Sequence, residues 1–202
     1  MCGLTGLINF NNIAFSDEQI SKIHFTYNEL VKRGPDENKL ILKNSFALKH
    51  YRLKIRGLKI GEGEQPIENE KWIFAFNGEI YIDHNYQKIN KNTYSSDTNY
   101  LWERINQIGF IKTIKNIVGE YAIAAFDKIN KKLFLSIDPY AVKPLYYSFN
   151  KNSFSFSSEI SSCFKNLDEN QFNFPEIDLN LLGEYLLFRS FSGRNTGYKN
   201  IY

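Results

Sequence analysis

The side chain with the clearest potential for chemistry is Cys2, which directly follows the initiator methionine. Methionine is normally removed when the next side chain is small, and removal would leave Cys2 with both a thiol and a free α-amino group. In small peptides the amine titrates at about pH 7.7–8.0 and the thiol at about 8.5, so one residue would hold a nucleophile and a base suited to neutral pH. Cys2 taken alone could equally be a small hydrophobic residue.

Three further positions supply the groups that a thiol nucleophile acting on an amino-acid amide needs. The Asn77 amide and the Gly78 backbone N–H can form an oxyanion hole. The Arg52 guanidinium matches an α-carboxylate, and the Asp97 carboxylate matches an α-ammonium. Each has an ordinary alternative: Asn77-Gly78 as a tight turn, Arg52 as a side chain covering apolar surface, and Asp97 as a helix cap.

Composition narrows the function classes. The 202 residues suit one substantial domain, and the net charge of +3 is spread without a basic block, which argues against nucleic-acid binding. Because there is no long apolar run and no signal peptide, we expect no membrane insertion and a cytoplasmic location. Cys163 and the three histidines (His24, His50 and His84) fall in no catalytic or metal-binding spacing, and we interpret them as structural.

Local patterns predict an α+β fold with antiparallel sheets. A strand is predicted at 3–10, a helix at 17–33 behind a capping box that starts at Ser16, and a buried strand at 72–76 that ends in a tight turn at Asn77-Gly78. Helices are predicted after Ser96, at 110–117 and from Asp178 to about Phe188. Four short strands between 120 and 157 indicate hairpins, which favours α+β over alternating βαβ units.

Nine short motifs in order resemble those of one known family. They are Met1-Cys2-Gly3, Arg33-Gly34-Pro35-Asp36, His50-x-Arg52-Leu53, Gln65-Pro66, Phe76-Asn77-Gly78-Glu79-Ile80-Tyr81, Ser96-Asp97-Thr98, Gly119 to Asp127, Asp138 with Lys143-Pro144-Leu145-Tyr146-Tyr147, and Phe156-Ser157-Ser158-Glu159-Ile160. The chain is similar, from residue 2 to about 165, to the class II glutamine amidotransferase domain at the N-terminus of asparagine synthetases. The resemblance implies the N-terminal-nucleophile hydrolase fold, a four-layer αββα sandwich with two antiparallel sheets.

The resemblance also implies roles for individual residues. Cys2 would be the nucleophile after removal of Met1, and Asn77 with Gly78 would form the oxyanion hole. Arg52 would bind the glutamine α-carboxylate and Asp97 its α-ammonium, while a pocket wall would be formed by Leu53, Ile55 and Glu79. The implied reaction converts glutamine to glutamate and ammonia through a γ-glutamyl thioester.

The same resemblance implies partners for this reaction. Residues 2–165 would be the glutaminase domain, and residues 166–202 a linker towards a synthetase domain that this chain does not contain. Ammonia would pass to an acceptor there, aspartate being the first expectation. The glutaminase half would need no metal or cofactor, and ATP and Mg²⁺ would belong to the synthetase half.

Two alternatives stay open. The chain could be a catalytically idle amidotransferase module that acts as a docking partner, or an N-terminal-nucleophile amidase for another substrate. The chain also departs from the family at two places: Lys54-Ile55-Arg56-Gly57 stands where synthetases usually carry Ser-Ile-Val-Asp or similar, and Ile82 stands where members tend to have Asn. The first departure concerns the rim of the glutamine pocket and the second concerns its support.

Overall fold

The structure is a computed structural model that describes residues 1–55, 57–59, 62–84, 87–88, 94, 96–165, 167 and 175–202. In the described residues the strands are β1 (Gly3–Asn9), β2 (Glu37–Leu42), β3 (Phe46–Arg52), β4 (Ile67–Glu68), β5 (Trp72–Asp83), β6 (Gln87–Lys88), β7 (Ile117–Asp127), β8 (Lys132–Ile137), β9 (Tyr146–Phe149) and β10 (Ser153–Ser157). The helices are α1 (Asp17–Tyr27), α2 (Asp97–Ile108), α3 (Phe110–Asn116), α4 (Ile160–Lys165) and α5 (Leu179–Phe188).

The strands form two sheets. One has the order β2-β3-β1-β10-β9, and the other has the order β4-β5-β7-β8 with β6 also paired to β5. Strand β10 pairs antiparallel with both β1 and β9, and β7 pairs antiparallel with both β5 and β8. The predicted α+β class with antiparallel sheets is confirmed.

The chain divides into two compact units. The first comprises Met1–Leu4, Leu30–Ile41 and Leu48–Leu145; the second comprises Thr5–Glu29, Leu42–Ala47 and Tyr146–Tyr202. The boundary near residue 165 between a domain and a linker stays a prediction, and residues 166 and 168–174 of that linker lie outside the described part of the chain.

The core of the first unit forms where α2 packs on β5 and α3 packs on β7. Alternate residues of a strand share a face, and on β5 the shared apolar face is Trp72, Phe74 and Phe76. Tyr100, Leu101 and Ile105 from α2 pack on this face, and Ser96 caps α2 by accepting the Asn99 backbone N–H. Helix α2 therefore begins at Asp97, directly after its capping residue.

The predicted tight turn at Asn77-Gly78 is wrong. Strand β5 runs unbroken through both residues, with Asn77 opposite Ala122 and Gly78 opposite Tyr121 of β7. Gly78 has φ +154°, and a Cβ there would lie 1.9 Å from the Glu120 carbonyl oxygen. The glycine is needed for the close approach of β7 rather than for a reversal of the chain.

The predicted helix at 17–33 is shorter than expected, although its start is confirmed. Gln19 donates its backbone N–H to the Ser16 hydroxyl, and Ser16 donates its own to the Gln19 amide oxygen, which completes the capping box. The α-helix ends at Tyr27, and 28–32 continue as a 3₁₀ helix, a common way for the last turns to tighten. The predicted helices at 110–117 and 178–188 are confirmed as α3 and α5.

The second unit carries an exposed apolar helix. Helix α5 has no buried residue, and Leu179, Leu187 and Phe188 are each more than two-thirds exposed. Cys163 on α4 is fully buried, and burial raises the pKa of its thiol to about 12, so its structural interpretation holds. No described helix is long and apolar enough to span a bilayer.

Candidate active site

A cavity of about 340 Å³ lies in the first unit. All eight site residues named from the sequence line it, together with seven others: Met1, Cys2, Arg52, Leu53, Ile55, Gln65, Phe76, Asn77, Gly78, Glu79, Ser96, Asp97, Thr98, Glu120 and Lys143. The volume falls within the range of about 300–1,000 Å³ usual for small-molecule sites. Strands β3 and β5, the start of α2 and the N-terminal residues thus bring the predicted groups to one place.

The Cys2 thiol is held by the backbone of Leu53. Its Sγ accepts the Leu53 N–H at 3.3 Å and lies 3.7 Å from the Leu53 carbonyl oxygen. Burial raises the pKa of the thiol, an effect only partly offset by the Leu53 hydrogen bond, the α-ammonium of Met1 and the guanidinium groups of Arg52 and Arg33. A thiol with a raised pKa is mostly protonated at neutral pH, so it needs a base to act as a nucleophile.

This environment predicts how Cys2 reacts while Met1 is attached. Because its pKa lies above the ordinary value, the thiolate fraction is small at pH 7 and grows as pH rises towards the raised pKa. We expect iodoacetamide to alkylate Cys2 slowly at neutral pH and progressively faster in alkaline solution, with Cys163 unmodified throughout because it is fully buried. Peptide mass mapping across pH measures both rates; fast labelling of Cys2 in mildly acidic solution would contradict this description.

The Asn77 side chain faces the cavity from the opposite face of β5 to the apolar core. It is 2% exposed, and its Nδ2 is buried with no hydrogen-bond partner in the described structure. Leaving a buried donor unpaired costs about 1–3 kcal/mol. A donor kept at this cost, in a cavity that the Cys2 thiol also lines, is available to an oxygen atom that arrives with a ligand.

Gly78 provides the backbone next to Asn77 in the cavity wall, and replacing it is expected to destabilise the folded protein. For Gly78→Ala we expect a loss of at least about 3 kcal/mol in the free energy of unfolding, because the new Cβ would meet the Glu120 carbonyl. Gly109→Ala is the matched control: Gly109 has φ +83° but nothing within 4 Å of an added Cβ, so the variant reports backbone strain alone, about 1–3 kcal/mol. Chemical denaturation measures both; equal losses would show that the close approach of β7 is unimportant.

Arg52 is almost fully buried on β3, and its guanidinium already has protein partners. Nη1 donates to Glu37 at 2.7 Å, and Nη2 donates to the Gly57 carbonyl at 2.7 Å. Lys54 binds the second oxygen of Glu37 at 2.5 Å, and this contact holds the pKa of Glu37 below its usual range. Lys54, one of the residues at which the chain departs from the family, is therefore part of an ion-pair network that orients Arg52. Arg56, another of these residues, lies outside the described part of the chain.

Asp97 links the start of α2 to β5. Its Oδ2 accepts the Ile80 backbone N–H at 3.0 Å, and the side chain is 7% exposed. The carboxylate is more than a helix cap, because it lines the cavity and bonds to the strand that carries Asn77. Its negative charge complements a cationic group on a ligand.

Several lining residues had no role assigned from the sequence. Gln65, Thr98 and Lys143 belong to the motifs that carried the resemblance, but their motifs alone do not show that they reach the cavity. Lys143 pairs with Glu120 at 3.1 Å. The Asp138 carboxylate accepts four backbone N–H groups, including those of Tyr121 and Lys143, and so shapes the loop that places Lys143.

The arrangement combines a thiol, an unpaired amide donor, the Arg52 guanidinium and the Asp97 carboxylate around a single cavity. Among the described residues no group of three or more His, Cys, Asp or Glu side chains could hold a metal ion. The set suits nucleophilic attack on an amide carried by a zwitterionic molecule.

Comparison with known proteins identifies relatives of the chain. It is 34% identical over 186 residues to a putative asparagine synthetase [glutamine-hydrolyzing] 2 of Methanocaldococcus jannaschii, covering 79% of this chain and 34% of that protein. It is 32% identical over 198 residues to asparagine synthetase [glutamine-hydrolyzing] 2 of Bacillus subtilis, covering 91% of this chain and 25% of that protein. The chain thus spans about a quarter to a third of the length of these curated relatives.

Solved structures show the fold. Glutamine phosphoribosylpyrophosphate amidotransferase from B. subtilis, complexed with ADP and GMP, matches with a TM-score of 0.61 at 15% identity, over 82% of this chain and 43% of that one. An allosteric regulatory enzyme of purine biosynthesis matches with a TM-score of 0.60 at 17% identity over the same shares. The N-terminal-nucleophile hydrolase fold expected from the sequence is thereby confirmed. A family model described as a glutamine amidotransferase domain matches residues 1–202, and the chain belongs to that family.

Proposed function

We propose that this chain is a glutaminase of the asparagine-synthetase type, which hydrolyses the side-chain amide of L-glutamine to glutamate and ammonia. The observation that carries the proposal is the meeting of Cys2, Asn77, Arg52 and Asp97 at one cavity. Membership of the glutamine amidotransferase domain family supports the same reaction.

Cys2 is the proposed nucleophile, and it acts after Met1 is removed. Its Sγ attacks the amide carbon of glutamine, and its own α-amino group takes the thiol proton and transfers it to the departing nitrogen. Ammonia leaves, a γ-glutamyl thioester remains, and water then cleaves the thioester to release glutamate. The amine is suited to this exchange because terminal α-amino groups titrate at about pH 7.7–8.0 in peptides, close to neutral.

Asn77 and Gly78 are the proposed oxyanion hole. In each tetrahedral intermediate the former carbonyl oxygen carries negative charge, and Asn77 Nδ2 and the Gly78 N–H donate to it. Asn77 Nδ2 has no partner in the described structure, so a hydrogen bond to the intermediate replaces none within the protein. Such preorganised donors stabilise a transition state more than a ground state, and this difference raises kcat.

The substrate is bound as a zwitterion. Arg52 binds the α-carboxylate while Glu37 and Gly57 fix the plane of its guanidinium, and Asp97 binds the α-ammonium. A wall around the substrate side chain is completed by Leu53, Ile55 and Glu79. These contacts select an L-amino acid and place its side-chain amide at Cys2.

Asp97→Asn tests this selection. The variant keeps an oxygen that can accept the Ile80 N–H but removes the charge, so we expect the KM for glutamine to rise roughly 10- to 100-fold. The matched control is a second substrate, 4-carbamoylbutanoic acid, which is glutamine without its α-amino group. Its kcat/KM is expected to stay within about threefold in the variant; an equal fall for both amides would refute an ammonium site at Asp97.

The ammonia is proposed to pass to a synthetase domain or subunit, where aspartate is the expected acceptor. Relatives that extend well beyond the matched region, and are named as glutamine-hydrolysing asparagine synthetases, support this. The exposed apolar side chains of α5 favour docking of this chain to a partner, as the alternative function requires. If docking is the whole function, wild type and Cys2→Ala will change ammonia-dependent synthesis by an added synthetase module equally, and neither will support glutamine-dependent synthesis; a glutaminase predicts that wild type supports glutamine-dependent synthesis and Cys2→Ala does not.

The direct experiment is a glutaminase assay on protein whose Met1 has been removed. Stoichiometric production of glutamate and ammonia from L-glutamine, with no turnover of D-glutamine or L-asparagine, is expected. Failure of the processed and folded protein to release ammonia would overturn the proposal.

A further inference from the structure

Phe76, the residue before Asn77, has both of its backbone groups bound by side chains from other segments. Its N–H donates to Gln65 Oε1 at 2.5 Å, and its carbonyl lies 3.1 Å from His50 Nε2. Strand β4 pairs with β5 at Ile67 opposite Phe74, and continuing that register two residues back places Gln65 opposite Phe76. At this edge of β5, beyond the residues paired with β4, side chains therefore make the backbone hydrogen bonds that a neighbouring strand would otherwise make.

His50 is fixed in one protonation state and one tautomer. It is fully buried, and burial lowers the pKa of its imidazole to about 3, so the ring is neutral at physiological pH. A carbonyl oxygen can only accept a hydrogen bond, so Nε2 carries the proton and donates it to Phe76. The other nitrogen, Nδ1, is buried with no partner among the described residues. Burying Nδ1 without a partner costs free energy. The hydrogen bond from Nε2–H to Phe76 is therefore the contribution that favours histidine at this position.

Gln65 extends the contact to the first turn of α2. Its Nε2 donates to Thr98 Oγ1 at 3.1 Å, and Thr98 follows Asp97 in the first turn of α2. Asp97 in turn accepts the Ile80 N–H. The Asn77-Gly78-Glu79 segment is thus bracketed, at Phe76 through Gln65 and at Ile80 through Asp97.

We propose that His50 and Gln65 are positioning residues that hold the Phe76 peptide, and through it the Asn77 amide and the Gly78 backbone, in the geometry that receives an oxyanion. The inference rests on the proposed glutaminase function. Neither side chain takes part in proton transfer: the His50 ring donates its one N–H to a carbonyl, and both polar ends of Gln65 are bound to the protein.

A positioning role for His50 and Gln65 and a role in core packing predict different changes in kcat, KM and thermal stability when these residues are replaced. A positioning role predicts that kcat falls while KM is kept, because Arg52 and Asp97 still bind the ground state. A small misplacement of a reacting group can cost about 100-fold in rate. A packing role predicts loss of thermal stability with kcat preserved at low temperature.

The test compares His50→Leu, which removes the N–H, with His50→Gln, whose amide nitrogen can take the place of Nε2. Thr113→Val is the matched control, since it removes another side-chain-to-backbone hydrogen bond made by a fully buried residue of the first unit, from Thr113 to the Gly109 carbonyl, away from the cavity. We expect His50→Leu to lower kcat roughly 10- to 100-fold with KM within about threefold, and His50→Gln to recover most of the rate. The control keeps the wild-type kcat.

A second readout does not depend on turnover. The ¹⁵N resonance of the Asn77 side-chain amide is expected to shift or broaden in His50→Leu and to stay near its wild-type position in His50→Gln and Thr113→Val. Unchanged kcat in His50→Leu, or an unchanged Asn77 resonance, would overturn the inference. An inactive wild-type protein with the expected Asn77 changes would instead refute the glutaminase function and leave the positioning contact intact.

Discussion

Cys2→Ala is expected to lower glutaminase activity by about four orders of magnitude or more. The proposed reaction forms a covalent bond to Sγ, and alanine offers no atom that could replace it. Losses of this size are typical when the nucleophile of a covalent mechanism is removed. Ammonia release measured with a coupled assay, together with glutamate quantified by mass spectrometry, gives the ratio of rates.

Cys163→Ala is the matched control for this variant, because it removes the other thiol of the chain. Cys163 lies fully buried on α4 in the second unit, so its loss is expected to cost some stability and no chemistry. Equal activity of Cys2→Ala and wild type would reject the nucleophile assignment. Equal losses in both cysteine variants would point to damaged folding instead, which circular dichroism of the two proteins would reveal.

Asn77→Ala is expected to lower kcat by about 10²- to 10³-fold with little change in KM. Removal of one oxyanion-hole donor has effects of this size in enzymes that pass through tetrahedral intermediates. The ground-state contacts to Arg52 and Asp97 stay in place, so the loss belongs to the transition state. Steady-state kinetics on L-glutamine separates kcat from KM.

The stability of the same variant provides the control. Asn77 Nδ2 has no hydrogen-bond partner in the described structure, so alanine removes a buried unpaired donor. We expect the melting temperature to stay within a few degrees of wild type or to rise, since such a donor costs about 1–3 kcal/mol. A large fall in melting temperature with an unchanged kcat would mean that Asn77 serves the fold and not the reaction.

The residues of the site were accessible from the sequence, because their order along the chain resembles one family. All eight predicted residues line the cavity. The resemblance led to this result where local rules failed: the Asn-Gly dipeptide predicts a hairpin turn, but β7 pairs along the whole of β5 and keeps both residues in the strand. A long-range pairing of this kind overrides a local turn preference.

The contacts that support the site were not accessible from the sequence. Glu37 lies fifteen residues before Arg52, and Gln65 lies eleven before Phe76, and nothing in either spacing indicates that the side chains meet. The position of His50 fits no catalytic spacing, and the sequence alone therefore favours a structural interpretation. Its position two residues before Arg52, on the same face of β3, was the available signal.

Intact-mass measurement followed by peptide mass mapping of the protein incubated with a glutamine-analogue electrophile tests the nucleophile assignment most directly. We expect loss of one methionine residue from the N-terminus, followed by a single covalent adduct at Cys2 that excess L-glutamine prevents. An adduct at Cys163 or at another side chain, or processed protein that stays unmodified while folded, would contradict it.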